Sequence, residues 1–268
     1  MSPDTVRSFP VRTCLSGPAA GVVGAAVVAR AAGFPNVVTF DVGGTSTDVS
    51  LIAEGRPGFR LERDVAGYPI KAPTVDVHVI GAGGGSIGWV DAGGALKVGP
   101  QSAGASPGPA AYGGGGRDPT LTDANVVLAR LNPGALLGGA LPLDEPAAHR
   151  VLETLAQRLG RNVNDVAQGM IAVAVASIAR AIRSVSTERG FELDDFALLA
   201  YGGAGPLLAV EVAREVRCST VIVPVAPGAM CARGILLSDV SADYVRTCAA
   251  MADDAGWIRA GEQFDGLV

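Results

Sequence analysis

The eight residues Asp41-Val42-Gly43-Gly44-Thr45-Ser46-Thr47-Asp48 constrain the fold of this chain more than any other stretch. Residues 36–41 are short, β-branched and bounded by turn residues, which predicts a buried strand, and residues 47–53 predict a second strand. Gly43 and Gly44 let the backbone turn sharply and offer N–H groups to an anion. Further donors come from the hydroxyls of Thr45, Ser46 and Thr47. The segment therefore predicts a phosphate-binding hairpin, with an ordinary hairpin as the alternative.

Two carboxylates flank this turn. Asp41 and Asp48 stand at its two ends, where they can hold a hydrated Mg²⁺ or orient a water molecule, so they are the candidate catalytic residues. No Gly-Lys-Ser/Thr follows the glycines, so the segment is not a Walker loop.

The surrounding pattern predicts an α/β fold. A third strand at residues 59–64 would follow a short turn and complete an antiparallel β-meander. Further on, a strand at 196–201, a glycine turn, a helix at 206–217 and a strand at 220–225 predict a βαβ unit with parallel strands. Together these elements predict one mixed sheet.

Helices and a glycine-rich region complete the expected organisation. The apolar spacing predicts helices over 18–32, 145–159 and 164–188, of which the last two lie in a helical segment of about 120–189. Residues of about 72–120 are rich in Gly, Ala, Pro and Ser, which is typical of a flexible linker, but interleaved apolar residues favour an ordered insert. We expect one domain over residues 1–250 and a tail over 251–268.

A second glycine turn joins a predicted strand to a helix. Its residues, Gly202, Gly203, Ala204 and Gly205, allow close approach to adenine and ribose and leave a helix N-terminus as an anion site. The GxGxxG spacing of a dinucleotide site is absent, and plain helix–strand packing is the alternative.

A metal site is a further candidate. Asp76 and His78 lie two residues apart in a strand-like stretch, on one face, and with Asp123 they could bind a second divalent metal. A structural hydrogen bond between the His and the Asp is the alternative.

Charge and hydropathy limit the partners. The net charge of −5 argues against nucleic acid, because binding its phosphate backbone requires a basic surface. The apolar run at 166–182 is closed by Arg180 and Arg183 before it reaches the ~20 residues that span a bilayer. We therefore expect no membrane segment and a cytoplasmic location.

Several ordered motifs give the chain a family resemblance. The chain resembles the hydantoinase A/5-oxoprolinase family, which includes the ATP-using subunits of acetone and acetophenone carboxylases. The similar segments are Ser16–Gly21, Asp41–Asp48, Ile80–Ser86, Val98–Ala105, Pro107–Ala110, Pro119–Asn125, Ser186–Gly190 and Tyr201–Pro206. They cover roughly residues 14–245.

The resemblance implies an actin-like ATPase lobe of the ribonuclease H-like type, with Asp41–Asp48 as the phosphate hairpin of the second lobe and Tyr201–Pro206 on the adenosine side. Gly43, Gly44 and Thr45 would hold the terminal phosphates of ATP, and Asp41 or Asp48 would act with Mg²⁺. The implied reaction is ATP-dependent hydrolysis of a cyclic amide through a phosphorylated intermediate. A hydantoinase B-type subunit is the implied partner, and an ATP-dependent ketone carboxylase subunit is the alternative.

Two departures from the family pattern qualify these expectations. No Asp-x-Gly-Gly-Thr hairpin precedes Asp41, so we expect the amino-terminal lobe to be missing. Compared with the family, we also expect the C-terminal region to be cut short after about residue 250. A truncated, non-catalytic nucleotide-binding lobe is therefore a second alternative. Leu208 stands where the family usually has His, which puts in doubt a role that depends on that histidine.

Overall fold

The structure, a computed structural model, describes residues 3–65, 67–71, 73–134, 136–239 and 247–266. Its strands are β1 (Val37–Val42), β2 (Thr47–Ala53), β3 (Arg56–Pro57), β4 (Phe59–Arg60), β5 (Arg63–Val65), β6 (Tyr68–Ile70), β7 (Thr74–Val75), β8 (His78–Ile80), β9 (Ser86–Val90), β10 (Leu96–Ser102), β11 (Ala197–Tyr201) and β12 (Val221–Ile222). Its α-helices are α1 (Pro3–Ser8), α2 (Ser16–Ala31), α3 (Leu121–Val127), α4 (Glu145–Leu159), α5 (Val163–Val185), α6 (Gly205–Val216), α7 (Met230–Leu237) and α8 (Asp254–Asp265). Residues 3–238 form one unit, and α8 belongs to a second unit that begins at Asp239.

The central sheet is mixed, as predicted. Its strand order is β12-β11-β1-β2-β3, and β8 also pairs with β2. β1 runs antiparallel to β2 and parallel to β11, and β11 runs parallel to β12. Because α6 connects β11 to β12, the predicted βαβ unit is confirmed, although its last strand covers only Val221–Ile222 instead of 220–225.

The prediction of a third meander strand at 59–64 is wrong. Residues Phe59–Arg60 pair with Thr74–Val75 in a separate two-stranded sheet, and β2 pairs with Arg56–Pro57 and with β8 instead. The Gly58 N–H still donates to the Leu51 carbonyl of β2 at 3.4 Å, and Phe59 then pairs with Val75, so the chain leaves the central sheet between these two residues.

Side chains of the central sheet alternate between two apolar cores. One face packs against α3 to α6 and contributes the buried residues Val38, Phe40, Val42, Val49, Leu198 and Ala200. The other face packs against α2 and α7 and contributes Val37, Ile52, Ala197, Leu199 and Tyr201. The sheet is therefore the middle layer of an α/β fold. Full burial of a side chain such as Phe40 stabilises the folded protein by roughly 1.5–3 kcal/mol.

Helices α2 and α7 cross in close contact because both carry glycine at the crossing. A Cβ added to Gly24 would lie 2.8 Å from the Gly234 Cα, and a Cβ on Gly234 would overlap the Ala20 carbonyl. Gly21 and Gly24 thus form a packing face of α2, whereas nothing lies within 4 Å of a Cβ on Gly17. This contact fixes α7 over the end of β1.

The long helix α5 lies in the core. Asn162 caps it by accepting a hydrogen bond from the Asp165 N–H, and Ile178 and Ile182 are fully buried. By length and composition alone, Val163–Arg189 is apolar enough to cross a membrane, but 56% of its most apolar stretch is buried inside the protein. That burial is typical of a core helix.

The glycine-rich region has a defined structure at residues 81–119. It contains the antiparallel pair β9–β10 and a 3-10 turn at Ala110–Tyr112. The Trp89 indole N–H donates to the Gly99 carbonyl at 2.8 Å, and a Cβ on Gly88 would press against the Met170 side chain. The region packs on the domain and is not a free linker.

Candidate functional site

The two carboxylates predicted at the hairpin lie next to each other. Asp41 of β1 and Asp48 of β2 are direct cross-strand partners, and Tyr201 of β11 is the partner of Asp41 on its other side. Directly opposed residues project on one face of a sheet, here the face covered by α2 and α7. Both aspartates are half-buried, at the end of the sheet where the hairpin turns.

Burial and mutual repulsion change how these carboxylates ionise. Burial raises the pKa of Asp48 to about 6, the charge of Asp41 adds to this effect, and Arg63 opposes it. Burial also raises the pKa of Asp41, against a hydrogen bond from Cys231 of α7 that lowers it. The Cys231 thiol lies 3.1 Å from Asp41 Oδ2, and its own pKa is raised to about 12, chiefly by burial. Cys231 is therefore a protonated donor, and no pattern in the sequence indicated its place.

The hairpin turn presents its amides to one side. The Gly43 N–H closes the turn on the Ser46 carbonyl at 3.0 Å, while the Gly43 and Gly44 carbonyls accept from the N–H groups of Gly84 and Gly85 at 2.9 and 2.6 Å. Each peptide is planar and trans, so the N–H groups of Gly44 and Thr45 point away from those carbonyls. In the part of the chain that the structure describes, neither N–H donates to a backbone carbonyl. Two neighbouring free amides form an anion-binding concavity.

A different glycine-rich segment, the loop Gly81–Ser86, holds the hairpin turn in place. A Cβ on Gly83 would lie 2.7 Å from the Thr45 backbone nitrogen, so only glycine permits this approach. The Gly84 carbonyl accepts hydrogen bonds from both the N–H and the hydroxyl of Thr122, at 2.8 and 2.9 Å. The sequence analysis assigned this loop no role in the site, although its run of glycines indicates a close approach of two backbone segments.

The side chain of Thr47 does not take the phosphate-binding role predicted for it. It is buried, and its hydroxyl donates to the Ala82 carbonyl of the glycine loop. The proposed role as a phosphate donor is therefore wrong for Thr47, whose hydroxyl anchors the loop. Thr45 is exposed and Ser46 half-exposed, so their hydroxyls remain accessible.

The second glycine turn lies beside Asp41, as a shared site requires. Gly202 has a φ of +80°, and a Cβ there would overlap Asp41 Oδ1 and the Val42 carbonyl. The Ala204 N–H donates to the Val42 carbonyl at 3.0 Å, and Gly205 begins α6 against β1. Gly203 is exposed, with nothing within 4 Å of an added Cβ. The two glycine turns thus meet at the end of β1.

The prediction of a metal site formed by Asp76, His78 and Asp123 is wrong. Asp76 is held by the guanidinium groups of Arg60 and Arg189. Asp123 is fully buried in the capping box of α3, where it accepts from the Thr120 N–H and hydroxyl and from the Ala111 N–H.

His78 lies apart from both carboxylates. It belongs to β8, whereas Asp76 precedes that strand, so no continuous strand aligns the two side chains. Across the described residues, no group of three His, Cys, Asp or Glu side chains is placed to bind a metal ion.

Comparisons with known proteins identify the family. The family profile described as Hydantoinase/oxoprolinase matches residues 1–244. The chain is 42% identical to the caprolactamase subunit alpha of Pseudomonas jessenii, over 93% of this chain and 36% of that protein. It is 37% identical to the acetophenone carboxylase gamma subunit of Aromatoleum aromaticum, over 89% of this chain and 33% of that protein.

The solved structures agree with the sequence comparison. The crystal structure of the ATP-dependent caprolactamase from Pseudomonas jessenii superposes with a TM-score of 0.80 at 39% identity, over 93% of this chain and 37% of that chain. The chain therefore belongs to the hydantoinase/oxoprolinase family, and it spans about a third of the length of these relatives.

Proposed function

We propose that this member of the hydantoinase/oxoprolinase family is the phosphate-binding part of an ATP-dependent enzyme that hydrolyses a cyclic amide. The observation that carries the proposal is the hairpin turn whose Gly43 and Gly44 carbonyls accept from Gly84 and Gly85, which leaves the N–H groups of Gly44 and Thr45 for an anion, whereas the Gly43 N–H is used within the turn. Relatives that include an ATP-dependent caprolactamase support the choice of reaction.

In this proposal the terminal phosphates of ATP lie over the hairpin. The N–H groups of Gly44 and Thr45 and the hydroxyls of Thr45 and Ser46 donate to the phosphate oxygens. Adenosine lies toward the turn of Gly202, Gly203, Ala204 and Gly205. The domain is then one lobe of an actin-like ATPase.

The aspartate pair suits Mg²⁺. Asp41 and Asp48 supply adjacent carboxylate oxygens, the donors that this ion prefers, through its water shell or directly. A bound divalent cation would neutralise charge on the phosphates and on this pair, whose repulsion and burial raise the pKa of Asp48 to about 6. The carboxylate left free by the ion would orient the attacking group or a water molecule.

ATP makes the amide reactive in the proposed sequence. The amide oxygen attacks the γ-phosphorus, the bond to the β-phosphate oxygen breaks, and ADP leaves. Water then adds to the carbon that carries the phosphorylated oxygen, and the C–N bond breaks, which opens the ring to an amine and an acyl phosphate. A second water hydrolyses the acyl phosphate to a carboxylate and phosphate. The contribution of this chain is to position phosphate and charge, on which phosphoryl transfer chiefly depends.

The complete enzyme in this proposal has further parts. An amino-terminal lobe with its own Asp-x-Gly-Gly-Thr hairpin would cover the other side of ATP, and a hydantoinase B-type subunit would act with it in the cytoplasm. The relatives named as subunits, caprolactamase alpha and acetophenone carboxylase gamma, support a partner subunit.

Two other functions fit the same hairpin. A subunit of an ATP-dependent ketone carboxylase would use the same ATP site, and the acetophenone carboxylase relative favours it. A nucleotide-binding lobe without catalysis would keep the hairpin and lack turnover.

Measurement of phosphate release from ATP distinguishes the three proposed functions. The chain is purified alone and after co-expression with the products of adjacent reading frames, and MgATP hydrolysis is measured with a cyclic amide or with a ketone plus bicarbonate. We expect stimulation by the cyclic amide in the co-expressed sample. Stimulation only by ketone and bicarbonate supports the carboxylase, and no stimulation in either sample supports the non-catalytic lobe.

A further inference from the structure

A cavity lies on the opposite side of the central sheet from the aspartate pair. It has a volume of about 450 Å³, is open to solvent, and is lined by β8, the Gly81–Ala82 loop, β10, the last turns of α5 and Glu188. His78 of β8 lines it and is the cross-strand partner of Val49, whose side chain faces the α5 core, whereas the adjacent Asp48 faces α2 and α7. The cavity is therefore separate from the proposed nucleotide site.

Charged groups of both signs line this cavity. Ser177, Arg180 and Ser184 follow at helical spacing along α5, and Glu188 lies in the 3-10 turn Thr187–Arg189 that comes after the helix ends. With a rise of about 1.5 Å per residue, Arg180 and Ser184 are roughly 6 Å apart along the helix. The cavity thus has a basic side chain from α5 and an acidic side chain from the turn that follows it.

Arg180 and Glu188 differ from the charged residues beside them. Arg183 pairs with Glu215 and Arg189 pairs with Asp76, so the neighbouring guanidinium groups are used within the fold. Among the described residues, neither Arg180 nor Glu188 takes part in an ion pair. Both residues line the cavity at its solvent-exposed side, and neither has a charged partner within the described ranges of the chain.

We propose that this cavity binds a small amino acid whose carboxylate contacts Arg180 and whose ammonium group contacts Glu188. A guanidinium group binds a carboxylate through two parallel hydrogen bonds, and a carboxylate accepts from an ammonium group. Hydrolysis of a cyclic amide creates both groups at the two ends of one chain, so the ligand class is the product of the reaction proposed above, on which this inference rests. The volume is within the range of small-ligand sites, roughly 300–1,000 Å³.

The location suits a product. Gly81 and Ala82 form part of the cavity wall, and the same loop continues into Gly84 and Gly85, which bond the phosphate hairpin. The Ala82 carbonyl accepts from Thr47 at the base of that hairpin. One short loop therefore separates the cavity from the proposed ATP site.

Calorimetric titration of the full chain with 6-aminohexanoate tests the proposal, with hexanoate and hexylamine as ligands that carry one charge each. We expect saturable binding of 6-aminohexanoate, and at least tenfold weaker binding in Arg180→Gln and in Glu188→Gln. Arg158→Gln and Glu153→Gln, which change exposed residues of α4, are the matched controls and should bind as the wild type does. Hexanoate should bind weakly and be insensitive to Glu188→Gln.

Three outcomes would overturn the proposal: no saturable binding of 6-aminohexanoate, affinity unchanged in both cavity variants, or equal affinity for hexanoate. The titration contains no nucleotide, and MgATP binding is measured on the same samples. Wild type that binds 6-aminohexanoate but not MgATP would contradict the proposed function and leave the cavity assignment intact. Wild type that binds MgATP but not 6-aminohexanoate would overturn the cavity assignment and leave the proposed function intact.

Discussion

Asp41 and Asp48 face each other directly across the β1–β2 hairpin, with their carboxylates on the same face of the sheet. A protein rarely places two half-buried carboxylates side by side unless the arrangement serves binding or catalysis, because both burial and repulsion disfavour the charged forms. The raised pKa of Asp48, about 6, expresses this cost. The cost is measurable as a dependence of stability on pH.

Replacement of Asp48 by Asn should stabilise the protein at pH 7.5. The folded pKa of about 6 lies above the ordinary value of 3.8, so the native state binds the proton more tightly than the unfolded state. The contribution to stability is then full below about pH 4 and is lost as the pH rises through 6. Because the carboxyl is partly exposed to solvent, we expect a gain of only about 1 kcal/mol at pH 7.5.

Urea unfolding between pH 4 and pH 8 measures this effect. The free energy of unfolding of the wild type should fall relative to Asp48→Asn across pH 4 to 6. Asp118→Asn, at an exposed position, is the control and should leave the pH dependence unchanged. A parallel pH dependence in the wild type and Asp48→Asn would contradict the assigned ionisation.

Gly202 should not tolerate a side chain, whereas its neighbour should. Gly202→Ala places a Cβ against Asp41 Oδ1 and the Val42 carbonyl at a positive φ, so we expect a loss of about 2–4 kcal/mol in stability and weaker MgATP binding. Gly203→Ala meets nothing within 4 Å and should change stability by less than about 0.5 kcal/mol. Thermal unfolding of the two variants tests the difference, and equal melting temperatures would refute the close contact at Gly202.

Much of the fold was readable from the sequence because local signals agreed with the packing. The helix at 145–159 has its Asp144 cap and Pro146 in the first turn, and the structure places it at the predicted residues. The hairpin at 41–48 and the turn at 202–205 also lie where predicted, since glycines mark positions that side chains would obstruct.

Other features depended on contacts between distant segments. The two arginines that bind Asp76 come from β4 and from beyond α5, so local spacing could not distinguish a metal ligand from an ion-pair partner. The antiparallel meander is present, but its third strand is Arg56–Pro57 and not 59–64, because residues 74–80 supply partners for β4 and β2 that the pattern of 59–64 did not reveal. Cys231 reaches Asp41 only through the crossing of α2 and α7.

Asp123 should behave as a structural residue. Asp123→Ala removes the capping box of α3 and leaves the Ala111 N–H without its acceptor, so we expect a loss of about 2–3 kcal/mol in stability. The loss should be the same in EDTA and in millimolar Mn²⁺ or Zn²⁺. If Asp123→Ala were destabilised relative to the wild type only in the presence of metal, Asp123 would instead be a metal ligand.

The most direct test of the central claim is calorimetric titration of the full chain with MgATP, in the wild type, Asp48→Ala and Asp118→Ala. Asp118 is an exposed aspartate outside the site, so its replacement matches the loss of one charge. We predict measurable but weak binding by the wild type and Asp118→Ala, and at least tenfold weaker binding by Asp48→Ala. Identical isotherms for all three proteins, or no binding by the wild type, would contradict the assignment of this hairpin as the nucleotide-phosphate site.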